Sequence, residues 1–87
     1  MSADRQRIDR WLWHARIVRT RSDAAALTVA GHLRVNGVRV VAPGREVKLG
    51  DVVTVALDGG VRVLKVCGFA LRRGDAAAAR RLYENLG

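Results

Sequence analysis

The sequence predicts a single α+β domain, with two packed N-terminal helices against a small, mostly antiparallel sheet and a short C-terminal helix. Near the N-terminus, apolar residues recur every three or four positions, and after Gly31 they alternate with a period of two. Two short turns, Asn36-Gly37 and Asp58-Gly59-Gly60, join neighbouring strand patterns as hairpins. Because the chain has 87 residues, it has room for one hydrophobic core.

The first helix is predicted from Arg7 to Ile17. Its apolar stripe follows helical spacing and consists of Ile8, Trp11, Leu12 and Ala15. A cationic stripe lies beside it and consists of Arg7, Arg10 and His14. Trp13 belongs to neither stripe, so it either packs on another element, which we favour, or stacks on a base.

The second helix is predicted to end at Gly31 and to begin near one of two capping residues. Thr20 stands three residues before Asp23, as in a capping box, and Ser22 is the alternative N-cap. The residues that face the first helix are small, so the two helices can approach closely.

The first hairpin has a predicted register because its turn has two residues. Val35 then lies beside Val38, and Arg34 stands opposite Arg39 on the same face. Like charges directly opposite each other destabilise a strand pair. Either a bound phosphate relieves this repulsion, which we favour, or the two guanidinium groups splay into water.

The remaining segments complete the expected organisation. Residues 52–57 are predicted to form a central strand, residues 61–68 its hairpin partner, and residues 75–86 a short helix with an N-terminal Asp. We therefore divide the chain into a flexible N-terminus over residues 1–6, a core domain over 7–70 and a helical extension over 71–87.

The charge balance is typical of a protein that binds a polyanion. Sixteen Lys and Arg face eight Asp and Glu, which gives a net charge of +8, and all but two of the cations are Arg. Arginine grips phosphate in a planar fork and stacks on bases, which favours nucleic acid. Six arginines lie within the first 21 residues: Arg5, Arg7, Arg10, Arg16, Arg19 and Arg21. The alternative is a solvated surface, but such surfaces usually mix the two signs.

Several classes of function are disfavoured. Cys67 is the only cysteine, so an internal disulfide is impossible, and no Cys/His cluster has metal-ligand spacing. No nucleophile–base pair or phosphate-binding glycine loop occurs, and we expect no catalysis, cofactor or small-molecule substrate. No apolar run is long enough for a membrane helix, and the N-terminus lacks a secretory signal, so we expect a cytoplasmic protein.

An ordered set of motifs resembles the alpha-L RNA-binding motif, also called the S4 domain, over residues 7 to 57. The set consists of Arg7-Ile8-Asp9-Arg10-Trp11-Leu12-Trp13, Arg19-Thr20-Arg21-Ser22, Gly31-His32-Leu33-Arg34-Val35-Asn36-Gly37, Pro43 and Val47-Lys48-Leu49-Gly50-Asp51. Within that superfamily, Trp11-Leu12-Trp13, Arg72-Arg73 and Leu82-Tyr83-Glu84 resemble the ribosome-associated heat-shock proteins. Two residues of the second helix depart from the family pattern. Many members have a basic residue where this chain has Ala25, so we expect this chain to lack RNA contacts from the exposed side of that helix. Thr28 stands where a bulky aliphatic residue usually packs, which predicts slightly looser packing.

The resemblance implies a free-standing module that binds structured ribosomal RNA, on large ribosomal subunits that carry a stalled nascent chain. By resemblance the RNA-facing residues are Arg7, Arg16, Arg19, Thr20, Arg21, His32 and Lys48. The charge pattern of the first helix adds Arg10, and the hairpin adds Arg34 and Arg39. We expect these residues to form one concave basic surface on a monomer that reads RNA by shape.

Two alternatives remain open. A helix-turn-helix DNA reader has two short helices, but the second helix here offers almost no side chain that could read base edges. The chain could also be the RNA-targeting subunit of an RNA-modifying enzyme, because related modules are appended to such enzymes.

Overall fold

The computed structural model describes residues 4–87, and it builds an antiparallel sheet with two helices against one face. Residues 1–3, part of the segment predicted to be flexible, lie outside the described residues. The elements in chain order are β1 (Arg5–Arg7), α1 (Ile8–His14), α2 (Arg21–Val29), β2 (Leu33–Val35), β3 (Val38–Val40), β4 (Glu46–Lys48), β5 (Val52–Leu57), β6 (Gly60–Val66), α3 (Ala76–Arg80) and β7 (Tyr83–Asn85). Two N-terminal helices, a mostly antiparallel sheet and a short later helix confirm the predicted α+β class.

The main sheet has five strands in the order β3-β2-β5-β6-β7, and β1 pairs with β4 in a separate two-stranded ribbon. Every pairing is antiparallel. β5 lies in the centre, as predicted, and β5 and β6 form the predicted second hairpin. In the first hairpin Val35 pairs with Val38 and Arg34 with Arg39, so the predicted register is confirmed.

The hydrophobic core lies between the helices and the inner face of the sheet. Its largest side chain, Trp11, is fully buried, and its indole Nε1 donates a hydrogen bond to the carbonyl of Gly68 at 3.1 Å. Ile8 and Leu12 of α1 are also fully buried, as is Leu33 of β2. Each such side chain contributes about 1.5–3 kcal/mol on burial. Because the apolar face of α1 is buried against the sheet, its opposite face, with Arg10, is exposed to solvent. Within residues 4–87, no helix is long and apolar enough to cross a bilayer.

α1 ends at His14, so the prediction of a helix to Ile17 was three residues too long. Arg16 adopts φ of 58°, in the left-handed region, and its N–H donates to the carbonyl of Trp13 at 3.1 Å. The N–H of Ile17 donates to the carbonyl of Leu12 at 3.0 Å. These two bonds form a Schellman motif, which ends the helix although the apolar pattern continues.

α2 begins after Thr20, which decides between the two predicted caps. The Thr20 hydroxyl accepts a hydrogen bond from the N–H of Asp23 at 3.0 Å. Inside the helix, the fully buried Thr28 donates its hydroxyl proton to the carbonyl of Ala24 at 2.7 Å. The departure at Thr28 therefore places a satisfied polar group in the core.

The two ends of the chain differ from the prediction. Arg5 and Gln6, expected to be flexible, pair with Lys48 and Val47 in the β1–β4 ribbon. The predicted helical extension is helical only over Ala76–Arg80, and Tyr83–Asn85 forms a strand on the edge of β6. The edge of β6 has backbone N–H and C=O groups that need hydrogen-bond partners. Pairing with them stabilises Tyr83–Asn85 as a strand more than the local helix propensity stabilises a helix.

Candidate nucleic-acid interface

Arg7 and Arg21 share one carboxylate at the start of α1. The guanidinium of Arg7 donates from Nε and Nη2 to the two oxygens of Asp9, at 3.2 and 3.0 Å. Nη2 of Arg21 lies 3.7 Å from the same carboxylate. The side chain of Asp9 is 6% exposed, whereas those of Arg7 and Arg21 are 52% and 46% exposed. Asp9 thus fixes both guanidinium groups while each keeps a solvent-facing side.

Arg16 and Arg10 hold the segment between β6 and α3. Arg16 donates from Nε and Nη2 to the carbonyl of Gly74, at 2.9 and 2.8 Å. Nη2 of Arg10 donates to the carbonyl of Leu71 at 3.4 Å. Because a carbonyl does not neutralise the cation, both side chains keep their full charge at the exposed surface.

Arg73 positions Trp13, a role that the sequence pattern did not predict. Its Nε donates to the carbonyl of Trp13 at 3.0 Å, and its guanidinium lies 5.8 Å from the centre of the Trp13 ring. Trp13 is half-buried and packs against the core, which agrees with the favoured interpretation. The basic junction Arg72-Arg73-Gly74 was the available signal, but it did not reveal which element Arg73 contacts.

Arg19 and Thr20 lie on the loop between α1 and α2. The side chain of Arg19 is exposed. Thr20 is also exposed, and its hydroxyl caps α2 as described above. The loop is therefore ordered at both ends, by the Schellman motif of α1 and by the Thr20 cap, and it presents Arg19 to solvent.

His32, Arg34 and Arg39 line one groove on the sheet face opposite the helices. This groove, called the sheet groove below, has a volume of ≈ 450 Å³, and its remaining lining residues are Gly31, Gly37, Thr54, Ala56 and Val61. Gly31 adopts φ of +82°, and a Cβ built on it would lie 3.4 Å from Cδ of Arg39. Since Gly31 has no side chain, the aliphatic part of Arg39 packs over the end of α2.

Lys48 lies in a different depression, between β4 and the following turn. Arg5 and Arg45 line the same depression, together with the carboxylates of Glu46 and Asp51. The backbone N–H of Lys48 donates to Oδ2 of Asp51 at 2.9 Å. The cations at this site therefore face acidic neighbours.

His14 is a buried histidine beneath the cationic face of α1. Burial lowers the pKa of its imidazole below the usual 6.5, and the positive charge of Arg10 lowers it further. Arg21 and Arg73 act in the same direction, and the carbonyl of Ala70 opposes them. Nδ1 of His14 is buried without a hydrogen-bond partner among the described residues. The imidazole is therefore neutral at pH 7.

The predicted site residues fall into three local groups in the structure. The first group surrounds α1 and its loop and consists of Arg7, Arg10, Arg16, Arg19, Thr20 and Arg21; the second is the sheet groove with His32, Arg34 and Arg39; the third holds Lys48. Carboxylates occur in the first and third groups, and none lines the sheet groove. A single concave surface that joins all ten residues remains a prediction.

A small α+β domain with arginines grouped on a helix–loop unit and on an open sheet face has the arrangement of a nucleic-acid-binding module. A sequence model of the S4 domain matches residues 6–53, and this chain belongs to the S4 domain family. Family membership, together with the net charge of +8, makes RNA the ligand of the domain. Among residues 4–87, no cluster of His, Cys, Asp or Glu could hold a metal ion.

Several similar proteins carry one name. The chain is 36% identical over 78 residues to the heat shock protein 15 homolog of Aeromonas salmonicida and 33% identical to heat shock protein 15 of Escherichia coli. Each match covers 90% of this chain and 58% of the relative, so the chain spans less than two thirds of these relatives. A trimeric structure of Vibrio cholerae heat shock protein 15 superposes with a TM-score of 0.87 at 29% identity, over 94% of this chain and 82% of that one.

Proposed function

We propose that this chain binds structured ribosomal RNA on the large ribosomal subunit, without catalysis, in ribosome rescue or stress-related translation quality control. The likeness to proteins named heat shock protein 15 supports a role in stress. The S4 domain and the net charge of +8 support RNA as the partner. The ten predicted residues are proposed as the RNA contacts: Arg7, Arg10, Arg16, Arg19, Thr20, Arg21, His32, Arg34, Arg39 and Lys48.

The proposal rests on one observation: the cationic loop between α1 and α2 is fixed by hydrogen bonds at both ends. Its exposed Arg19 stands between the Schellman motif of α1 and the Thr20 cap, and Arg21 is held near Asp9. A loop that is ordered before binding loses little conformational freedom when it meets the RNA. Arg19 and Arg21 can therefore place their charges on phosphates that have a fixed spacing, which is recognition by shape.

Sedimentation through a gradient of dissociated ribosomal subunits tests the partner. We expect the protein to travel with the large subunit, and crosslinking then identifies the contacted RNA. Protein that stays at the top of the gradient, or that travels only with the small subunit, contradicts the proposal. Raising the salt concentration should release the protein, because phosphate contacts depend on counterion release.

A helix-turn-helix DNA reader requires base-reading side chains on the open face of its second helix. Beyond its first turn, the exposed residues of α2 are Ala26 and Val29, which have no group that pairs with a base edge. We therefore expect folded ribosomal RNA to bind more tightly than duplex DNA at the same salt concentration. Equal or tighter binding of a specific DNA duplex would favour the alternative.

We also propose that the protein is cytoplasmic and monomeric. The related protein from Vibrio cholerae forms a trimer in its solved structure. Light scattering coupled to size-exclusion chromatography measures the mass of the free protein and of its RNA complex. We expect the free protein to have the mass of one chain and the complex to contain one chain per RNA. A free protein with three times the mass of one chain would show that it is a trimer.

A further inference from the structure

We propose that the sheet groove binds one unpaired nucleotide of the RNA, with its phosphate between Arg34 and Arg39 and its base on the apolar floor. The inference rests on the proposed function, since it names which RNA feature this part of the domain recognises. The groove lies on the face of the sheet away from α1 and α2, so it is a separate contact from the cationic loop.

Two guanidinium groups mark the phosphate position. Arg34 and Arg39 are directly opposite each other in the β2–β3 pair, so their side chains leave the same face of the sheet. Neither guanidinium group has a hydrogen bond or ion pair to another residue within 4–87, and no carboxylate lines the groove. An anion between them converts a repulsion into two charge-assisted contacts.

The side chain of Arg39 packs against the backbone of Gly31. The left-handed Gly31 leaves room for the aliphatic part of Arg39, which would meet a Cβ at 3.4 Å. His32 follows Gly31 and lines the same groove, so an imidazole lies on the cationic side. The aliphatic part of Arg39 thus lies against the backbone of Gly31, beside the groove, before any ligand arrives.

The apolar floor of the groove fits an unpaired nucleotide better than a continuous RNA helix. Ala56 pairs with Val61 across β5 and β6, and Val61 is 61% exposed although it is apolar. Thr54, opposite Arg34, adds a hydroxyl between the cations and this apolar floor. In a continuous RNA helix the base faces are stacked inside, and only phosphates, sugars and base edges reach a protein. An extruded base can instead lay its face on apolar side chains.

The size of the groove agrees with this occupant. Its volume of ≈ 450 Å³ falls within the range of about 300–1,000 Å³ that is common for ligand sites. A cationic side, a hydroxyl and an apolar floor match, in that order, a phosphate, a ribose and a base. The geometry therefore fits a nucleotide as a unit.

Three fluorescently labelled RNA hairpins test the proposal by anisotropy at one salt concentration. The first has a continuous stem, the second has the same stem with a single bulged adenosine, and the third has an abasic ribose at the bulge. We expect the wild-type protein to bind the adenosine bulge about tenfold more tightly than the abasic bulge, because base stacking on a protein surface contributes that much. The abasic hairpin has the same backbone length and charge, so the ratio reports the contribution of the base.

Two matched variants locate the contact. Val61→Gln should reduce the tenfold ratio to less than about twofold, because it replaces the apolar floor with an amide. Val29→Gln changes an equally exposed valine on α2, outside the groove, and should keep the wild-type ratio. Circular dichroism of both variants confirms that they fold.

These measurements can refute the nucleotide site without refuting RNA binding by the domain. If the wild-type protein binds all three hairpins equally, the nucleotide site is refuted, while RNA binding stands. If Val61→Gln keeps the full preference, the bulge is bound elsewhere and the inference is equally refuted. If the wild-type protein binds none of the hairpins and does not travel with ribosomal subunits, the proposed function itself fails.

Discussion

Arg7 and Asp9 form a two-bond ion pair at the point where β1 passes into α1, with N···O distances of 3.2 and 3.0 Å. The carboxylate is nearly buried and also accepts the N–H of Arg10 at 2.7 Å. Because Arg21 approaches the same carboxylate to 3.7 Å, Asp9 connects the beginnings of the two helices. A single acidic residue thus orients two cations of the predicted RNA surface.

Asp9→Asn should lower the free energy of unfolding by about 1–2 kcal/mol. It removes the charge from a buried acceptor of charge-assisted hydrogen bonds, and the half-exposed Arg7 reduces the loss. Urea unfolding measures the change. Asp58→Asn is the matched control, because it makes the same charge change at an exposed turn, and it should change stability by less than about 0.5 kcal/mol. Equal effects of the two substitutions would contradict an anchoring role for Asp9.

The double variant Arg19→Ala with Arg21→Ala should weaken binding to every structured RNA and make the log–log salt slope shallower by about two. Its melting temperature should stay nearly unchanged, since Arg19 is exposed and Arg21 has only a long contact with Asp9. Arg80→Ala with Arg81→Ala removes the same charge from exposed positions on and just after α3. This control should keep most of the affinity. Unchanged binding by the loop variant would remove the loop from the interface.

Arg34→Gln should raise stability at low salt by about 0.2–1 kcal/mol, because it removes a like charge opposite Arg39. The same substitution should weaken RNA binding, so stability and affinity move in opposite directions. Thermal melts over a range of salt concentrations check the cause, since the gain should shrink as salt screens the repulsion. Arg45→Gln, at an exposed position near Glu46 and Asp51, should give no such gain. A less stable Arg34→Gln protein would argue against repulsion between the two strands.

Stability should fall as the pH drops below 6.5, because folding lowers the pKa of His14. The unfolded chain then binds a proton that the folded protein resists, so the stabilisation present above pH 6.5 is lost as the pH falls through the lower folded pKa. Urea unfolding at several pH values measures the slope. His14→Gln should flatten the slope in this window, whereas His32→Gln, at an exposed position, should keep it. A wild-type stability that does not vary across this window would contradict the pKa shift.

Local sequence signals determined the hairpins and the class of fold. The turn Asn36-Gly37 has two residues, so it leaves one register, and Arg34 faces Arg39 as a direct consequence. The change from helical to alternating spacing at Gly31 marks the real end of α2, where Gly31 has φ of 82°. The cationic composition and the ordered motifs also pointed to RNA, because charge and short-range pattern are properties of the chain itself.

Only the tertiary structure decided the partners of individual arginines and the end of the chain. Arg16 reaches Gly74 and Arg73 reaches Trp13, residues 58 and 60 positions away, and no short-range pattern encodes such contacts. Tyr83–Asn85 forms a strand because the edge of β6 offers unpaired backbone groups, which exist only once the sheet has formed. Composition and spacing therefore determine that the chain is cationic and how its hairpins pair, whereas packing determines which cations stay free to meet a phosphate.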